Sequence, residues 1–154
     1  MPVKELQEFL EDGKVKYRTI GHSLAYTAQE IAAAAGIPGQ ELAKTIIVKI
    51  DGELAMAVLP ASYWVDTESL AKAAGAKKVE IAREEEFVDL FPGCDLGAMP
   101  PFGNLYGMKV FVAEKLADDG EIVFNGGTHR ELVRLAYADF KRLVKPTQVA
   151  FAVR

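Results

Sequence analysis

The chain has 154 residues, of which half are hydrophobic and 26% are charged, and its formal net charge is −4. This composition excludes a disordered chain, and the length fits one domain with a single hydrophobic core. The single cysteine, Cys94, excludes an internal disulfide. No apolar run approaches the roughly 20 residues of a membrane-spanning helix, and residues 1–7 lack the apolar segment of a secretion signal. We therefore expect one domain over residues 1–154, located in the cytoplasm.

The acidic balance argues against a protein that coats duplex nucleic acid, because phosphate neutralisation supplies much of the affinity of such proteins. A nucleic-acid partner would have to be held locally, at an end or at a single nucleotide. We expect neither DNA nor a membrane as a partner. The densest basic region has a simpler interpretation as a solvated helix face. It comprises Arg130, Arg134, Lys141, Arg142 and Lys145.

Hydrophobic periodicity, capping residues and turn residues predict the elements in chain order. The predicted helices cover residues 3–10, 28–35, 67–74, 83–90 and 128–144. The predicted strands cover residues 17–23, 45–50, 54–59, 78–81, 109–113, 121–124 and 148–153. Thr27 and Glu30 form a capping box for the second helix, and Asp51-Gly52 is the residue pair that a tight hairpin turn favours. Residues 92–107 hold four glycines and three prolines, which indicates an ordered loop.

Helices and strands alternate irregularly and include at least one hairpin. This order predicts an α/β or α+β fold, a compact single domain with a mixed, mostly antiparallel sheet flanked by helices.

Lys44 lies just before a predicted strand, where a lysine is usually solvated. Its compact ammonium would suit a phosphate or a carbonyl oxygen if loops converged on it. The residues alone leave both interpretations open.

The segment Gly97-Ala-Met-Pro-Pro-Phe-Gly103 combines two features of a backbone binding site. Gly97 and Gly103 allow the chain to approach a ligand closely, while Pro100 and Pro101 fix the backbone between them. The amides that remain could stabilise the oxyanion of an acyl-transfer reaction. A rigid surface turn with Phe102 anchored in the core is an equal alternative.

The segment Phe124-Asn-Gly-Gly-Thr-His129 precedes the longest predicted helix. Thr128 and Glu131 predict a capping box, which would place His129 in the first helical turn, behind Gly126 and Gly127. A glycine loop before a helix N-terminus is a typical anion site. An exposed histidine without a task is an equal alternative. His22, the other histidine, is interpreted as structural or as part of a pocket rim.

Several chemistries find no support in the sequence. Two distant histidines without paired carboxylates argue against a metal site, and no nucleophile elbow, phosphate loop or dinucleotide motif is present. Asp95 follows Cys94 and would oppose a thiolate there. We expect chemistry without a metal or another cofactor.

The same segments, in the same order, resemble the YbaK and prolyl-tRNA synthetase editing-domain family. The resemblance runs from about Tyr17 to Val144. It rests on a set of motifs that are weak singly but specific in this order. They are the helix Thr27-Ala-Gln-Glu-Ile-Ala-Ala, Lys44-Thr-Ile-Ile-Val, Gly-Ala-Lys-Lys-Val-Glu at 75–80, the glycine-proline loop, and Gly126-Gly127.

The resemblance implies an enzyme that hydrolyses the ester between a wrong amino acid and the 3′ end of a tRNA, most often the tRNA for proline. Lys44 would lie near the phosphate of the terminal adenosine. Gly97 and Pro101 match the family's Gly-x-x-x-Pro loop, whose backbone lies against the aminoacyl group and the reacting carbonyl. His129 falls where synthetase-linked members carry a substrate-selecting histidine. A water helped by the terminal ribose hydroxyls would attack, so no side-chain nucleophile is required.

The remaining site predictions concern the walls of the pocket. The substrate-binding set comprises Pro100, Pro101, Phe102, Gly103, Gly126, Gly127, His129 and His22, while Lys44 and Gly97 form the catalytic set. Cysteine-clearing members carry an aromatic residue where this chain has Ile20 and an aspartate where it has Leu132. The free-standing alanine-clearing type differs at residues 124–129. We expect a small uncharged amino acid, with alanine first.

The predicted partner is the acceptor end of an aminoacyl-tRNA, with a synthetase as a possible second partner. Two alternatives remain at this point. One is a non-catalytic module that binds an aminoacyl-tRNA end or a synthetase, and the other is a hydrolase of a different small acyl ester.

Overall fold

The computed structural model describes residues 3–21, 28–37 and 41–154. The helices are α1 (Lys4–Asp12), α2 (Ala28–Ala35), α3 (Thr67–Ala74), α4 (Glu84–Phe87) and α5 (Tyr137–Val144). The strands are β1 (Tyr17–Gly21), β2 (Ala43–Ile50), β3 (Glu53–Pro60), β4 (Trp64–Val65), β5 (Val79–Ile81), β6 (Lys109–Ala113), β7 (Glu121–Asn125), β8 (Glu131–Ala136), β9 (Thr147–Val149) and β10 (Ala152–Val153). Short 3-10 helices cover Val88–Leu90, Gly103–Leu105 and Glu114–Asp119.

The strands form a five-stranded sheet in the order β5-β2-β3-β6-β9 and a three-stranded sheet in the order β1-β8-β7. β4 pairs separately with β10. β3–β6 and β6–β9 are parallel, while the other named pairs are antiparallel. The predicted fold class, a mixed and mostly antiparallel sheet with helices, is therefore confirmed.

The hairpin β2–β3 lies at the centre of the larger sheet and follows the prediction. Ile50 pairs with Glu53 across a two-residue turn. The turn residues Asp51 and Gly52 have φ angles of 49° and 88°, as the favoured hairpin turn requires. β2 also begins earlier than predicted, at Ala43, so that Lys44 lies inside the strand.

The hydrophobic core has three parts, which correspond to the faces of the two sheets. The largest part joins one face of each sheet to α1 and α5, with Phe102 and Phe140 fully buried in it. A second part lies between the five-stranded sheet and α3. The third covers the other face of the three-stranded sheet, where Val123 and Leu132 pack beneath Ile31 of α2.

The predicted helix over residues 128–144 is wrong in its first half. Residues 131–136 form β8, and only residues 137–144 are helical. β8 is the middle strand of its sheet, and Leu132 and Val133 are both fully buried, one on each face. A strand buried on both faces carries adjacent apolar residues, and this pattern also fits a helix.

Smaller differences concern the ends of the other elements. The predicted strand 148–153 is divided between β9 and β10, and the predicted helix 83–90 is a short α-helix followed by a 3-10 turn. The predicted helix cap at Thr27 lies outside the described residues. Within the described ranges, no helix is both long and apolar enough to cross a membrane.

Candidate functional site

Lys44 is partly buried in β2 and faces an aromatic ring. Its Nζ lies 4.7 Å from the centroid of the Trp64 ring, a cation–π arrangement. Burial lowers the pKa of the Lys44 ammonium below the usual lysine range. No carboxylate of the described residues forms a salt bridge with it. The charge is therefore held beside a ring that leaves it available to an anion.

The start of β2 lies beside β7 and links the two sheets. Leu42 and Val123 form an isolated parallel bridge. Lys44 lies two residues beyond Leu42, and Asn125 lies two residues beyond Val123. Because alternate residues of a strand face the same side, Lys44 and Asn125 both face the side on which Leu42 and Val123 pack. Ile31 of α2 packs where Leu42 and Val123 lie, while Ile46 and Val48, further along the same face of β2, belong to the second part of the core.

The glycine-proline loop is anchored through its C-terminal half. Gly97 is exposed and has a φ of 85°, whereas Pro100 and Pro101 are buried. The Phe102 side chain is fully buried against Phe9, Phe124 and Phe140. The Phe102 ring is thus a core anchor, and its predicted contact with substrate would have to use the backbone.

Gly103 ends the loop and is required by close packing. A Cβ on Gly103 would lie 2.6 Å from the carbonyl oxygen of Met108 and 2.7 Å from Cγ2 of Val110. The Met108 amide donates to the Gly103 carbonyl at 2.9 Å. Gly103 therefore fixes the exit of the loop.

The structure brings His129 against Gly97. The His129 Nε2 lies 2.7 Å from the carbonyl oxygen of Leu96, so Nε2 carries the proton and donates. A Cβ on Gly97 would lie 3.6 Å from His129 Cε1. The buried His129 ring thus supports the backbone of the loop at the residue before Gly97.

The predicted position of His129 in a helical turn is wrong. The His129 amide donates to Oδ2 of Asp95 at 3.0 Å, and the Asp95 amide donates to the carbonyl oxygen of Gly127 at 2.7 Å. Asp95 therefore takes the capping role that the sequence suggested for Thr128. These bonds join the glycine-proline loop to the turn between β7 and β8.

Gly126 and Gly127 form part of that turn. The Gly126 amide donates to the carbonyl oxygen of Glu131 at 3.2 Å, and the Gly126 carbonyl accepts from the Val3 amide at 2.8 Å. Gly127 has a φ of 105°, and a Cβ there would overlap the Val3 side chain. Gly127 thus leaves the room in which Val3 packs onto the turn.

The face that Lys44 shares carries a row of three side chains across the smaller sheet. Ile20 pairs with Leu132, and Leu132 pairs with Asn125. Ile20 is partly exposed, while Leu132 is fully buried. Asn125 is 7% exposed, and its Oδ1 has no hydrogen-bond partner among the described residues. Sequence reasoning missed Asn125, because an asparagine before two glycines is typical of a turn.

A basic groove lies further along the same sheet. Lys14, Lys16, Arg18 and Arg134 line it, together with the carboxylates of Glu121 and Asp139. Arg18 and Arg134 oppose each other across β1 and β8, and Arg134 also lies 3.4 Å from Glu121. Like charges that face each other across strands repel, which favours a bound anion there.

Two exclusions from the sequence concern this region. Burial raises the pKa of the Cys94 thiol, whose Sγ lies 3.5 Å from the Tyr106 hydroxyl, and a protonated thiol is a poor nucleophile. Over residues 3–21, 28–37 and 41–154, no three His, Cys, Asp or Glu side chains are grouped to hold a metal ion. His22 lies outside the described residues.

The candidate site therefore combines the Lys44 charge, a backbone loop anchored by Phe102, and a wall formed by Ile20, Leu132 and Asn125. The structure joins Gly97 to His129 directly and places Lys44 on the sheet face that ends in Asn125. These features suit the binding of an anion beside a carbonyl group more than they suit covalent catalysis.

Comparisons with known proteins show which family the chain is similar to. A family model described as an aminoacyl-tRNA editing domain matches residues 22–143. The chain is 30% identical over 141 residues to the multifunctional Ser/Thr-tRNA deacylase ProXp-y of Escherichia coli K12, covering 88% of this chain and 83% of that protein. It is 35% identical over 129 residues to proline–tRNA ligase of Staphylococcus aureus strain Newman, covering 77% of this chain and 22% of the ligase.

Solved structures share the fold. A crystal structure of a hypothetical protein has a TM-score of 0.86 at 22% identity and covers 97% of this chain and 99% of that one. A structure described as a candidate trans-editing enzyme for prolyl-tRNA synthetase has a TM-score of 0.80 at 22% identity, covering 96% of this chain and 94% of that one.

Proposed function

The chain belongs to the aminoacyl-tRNA editing domain family, and from this premise we propose that it acts in trans as a deacylase of mischarged tRNA. It hydrolyses the ester that joins an amino acid to the terminal adenosine. The proposed substrate is tRNA for proline carrying a small uncharged amino acid, with alanine as the first candidate. The observation that carries the proposal is the partly buried Lys44 ammonium, which has no described carboxylate partner, on the face that ends at Asn125.

Lys44 would bind the phosphate of the terminal adenosine. A cation that is partly removed from water interacts more strongly with an anion than an exposed one does. The Trp64 ring beside it holds the ammonium without neutralising it. The substrate is thereby positioned, which is the main requirement for an ester that is already activated.

Gly97 would supply an amide to the reacting carbonyl. Its N–H donates to Sδ of Met99 at 3.3 Å, and a thioether is a weak acceptor. Exchanging this sulfur for a developing oxyanion would therefore cost little. Pro100 and Pro101 keep the following backbone rigid, and His129 holds the preceding carbonyl.

The wall of the proposed pocket differs from that of cysteine-clearing relatives. Ile20 and Leu132 stand where cysteine-clearing relatives carry an aromatic residue and an aspartate, so their selection is not expected here. A prolyl-tRNA synthetase cannot exclude smaller amino acids by binding alone, since one methylene is worth about 1–3 kcal/mol. Editing by a second protein would remove such errors.

The basic groove supports a local hold on tRNA. Lys14, Lys16 and Arg18 are exposed beside the site, although the whole chain is acidic. A few cations near the acceptor end are sufficient for an enzyme that reads one end of its substrate.

The test is a panel of tRNA for proline charged with alanine, cysteine, serine, threonine or proline. We expect release of alanine faster than release of proline, and a loss of at least about a hundredfold in Lys44→Ala, because one preorganised electrostatic contact is worth roughly that much. Lys49→Ala is the matched control, since Lys49 lies on the same strand but pairs with Glu86 at 2.8 Å. A fully active Lys44→Ala protein would contradict the site.

The panel also separates the alternatives. Binding of an aminoacyl-adenosine analogue without turnover of any charged tRNA would favour a binding module. Turnover of simple acyl esters with no preference for tRNA would favour a different ester hydrolase.

A further inference from the structure

Asn125 is the polar member of an otherwise apolar wall. It ends β7, pairs with Leu132 and lies on the face that packs Val123 and Ile31. Its side chain is 93% removed from solvent, as its exposed fraction of 7% shows. A buried amide oxygen without a hydrogen bond is costly, so proteins keep such a group mainly where a ligand or water completes it.

We propose that Asn125 is a specificity-determining residue that binds the side-chain hydroxyl of serine or threonine on the substrate. This inference rests on the proposed function and names the chemistry of its pocket. Within the amino acid of the substrate, two groups could donate to Oδ1: the α-ammonium, which every substrate carries, and a side-chain hydroxyl.

The surroundings of Asn125 favour the hydroxyl. An ammonium loses far more hydration free energy than a hydroxyl when it is placed among groups such as Leu132 and Val123, and neither neighbour carries a compensating charge. A hydroxyl both donates and accepts, so it matches the carboxamide of Asn125 in either orientation, whereas an ammonium only donates.

The same geometry ranks serine and threonine above alanine at this position, and it revises the order in which the resemblance alone puts alanine first. With alanine bound, Oδ1 of Asn125 stays without a partner, and a buried polar group left unpaired costs more than an ordinary hydrogen bond gains. A site that pairs with a substrate hydroxyl therefore discriminates against the analogue that lacks it.

The test compares seryl- and alanyl-tRNA for proline with the wild-type protein and Asn125→Leu. Leucine is close to asparagine in size but has no acceptor. We expect the ratio of kcat/KM for serine to that for alanine to fall about tenfold or more in Asn125→Leu. Asn104→Leu is the matched control, because Asn104 is exposed outside the site, and its ratio should equal that of the wild type.

Binding is measured in parallel with non-hydrolysable seryl- and alanyl-adenosine analogues joined by an amide at the 3′ position. If no charged tRNA is hydrolysed, the proposed function fails, while a serine preference in binding that Asn125→Leu removes still supports the inference. An unchanged serine-to-alanine ratio in both measurements overturns it, as does an equal loss for the two substrates.

The thermal midpoint separates selectivity from damage to the fold. Replacing an unpaired buried oxygen with a methyl group should leave the midpoint of Asn125→Leu equal to or above that of the wild type. Should Asn125→Leu fail to fold, Asn125→Ala takes its place, with the same expected fall in the ratio.

Discussion

At the scale of single residues, the Lys44 ammonium is under two opposing influences. Partial burial lowers its pKa, while the Trp64 ring attracts the charged form. The net direction is a lowered pKa, so Lys44 loses its charge at a lower pH than an exposed lysine does. An anion of the substrate would reverse part of this effect on binding.

This balance predicts an alkaline decline in kcat/KM. We expect activity to be constant while Lys44 is protonated and to fall above its lowered pKa, since the neutral amine cannot bind phosphate as a cation. Lys44→Arg should lose activity but also lose this decline, because arginine stays charged. Initial rates measured from neutral to alkaline pH, with spontaneous ester hydrolysis subtracted, provide the check.

The variant Trp64→Leu provides a second test of the alkaline decline in kcat/KM. Removal of the ring removes the attraction for the charged form, so the decline should move to lower pH. If the decline is the same in the wild type and in Lys44→Arg, a group other than Lys44 titrates.

The residues of the site differ in how far the sequence could indicate them. Lys44 and Gly97 lie in the segments on which the resemblance to the family rests, so the sequence alone could indicate them. The partners of His129 could not be predicted, since Asp95 and Leu96 are distant in sequence and meet it only through folding. Asn125 carries no motif at all. Its significance comes from burial without a partner, which is a property of the structure.

At the scale of elements, the turn between β7 and β8 depends on the segment that precedes α1. Gly127 leaves room for Val3, whose amide also bonds to Gly126. Val3 thus packs on the turn that carries His129.

This packing predicts that Gly127→Ala loses much of its free energy of unfolding. A positive φ costs alanine roughly 1–2 kcal/mol at any such glycine, and at Gly127 the new Cβ would also overlap Val3. Gly107→Ala is the matched control, because Gly107 has a φ of 69° and open space around it. We expect chemical denaturation to show a greater loss of unfolding free energy for Gly127→Ala, by about 2 kcal/mol.

A double variant identifies the cause. Val3→Ala combined with Gly127→Ala should recover part of the lost unfolding free energy, since the overlapping methyl groups are gone. Equal losses in Gly127→Ala and Gly107→Ala would show that Val3 does not matter.

Element boundaries show where sequence periodicity was sufficient and where it was not. The hairpin β2–β3 was predictable because Asp51-Gly52 has local turn chemistry that few other structures use. The strand β8 was not, because its place in the middle of the sheet depends on pairing with β1, which comes from a distant part of the chain. A local pattern cannot reveal that a segment is the middle strand of a sheet.

At the scale of the whole molecule, charge is distributed unevenly over an acidic protein. The basic region predicted from the sequence is only partly retained, because Arg134 lies near Glu121 and Arg142 pairs with Asp139 at 3.2 Å. Folding adds Lys14, Lys16 and Arg18, which the linear sequence did not suggest as neighbours of Arg134.

The basic groove predicts a salt-dependent contribution to tRNA binding. Lys16→Glu combined with Arg18→Glu should lower kcat/KM for charged tRNA about tenfold or more and reduce its dependence on salt, because phosphate contacts are lost. Lys72→Glu with Lys77→Glu is the matched control, since it changes the net charge equally through exposed lysines of another region.

A substrate without the rest of the tRNA separates the effect of the groove on tRNA binding from its effect on ester hydrolysis. Hydrolysis of an aminoacyl ester of adenosine alone should be nearly equal in the wild type and the groove variant. If both double variants weaken tRNA turnover to the same degree, only the net charge is involved.

The bridge between Leu42 and Val123 also bears on when the protein becomes able to act. β2 leaves the ribosome well before β7, and contacts between distant segments form late in folding. The proposed site beside Lys44 therefore forms only after the two sheets have packed together. A nascent or half-folded chain would present Lys44 and the glycine-proline loop without the assembled site that the proposed hydrolysis of charged tRNA requires. The protein would therefore become active only when its fold is complete.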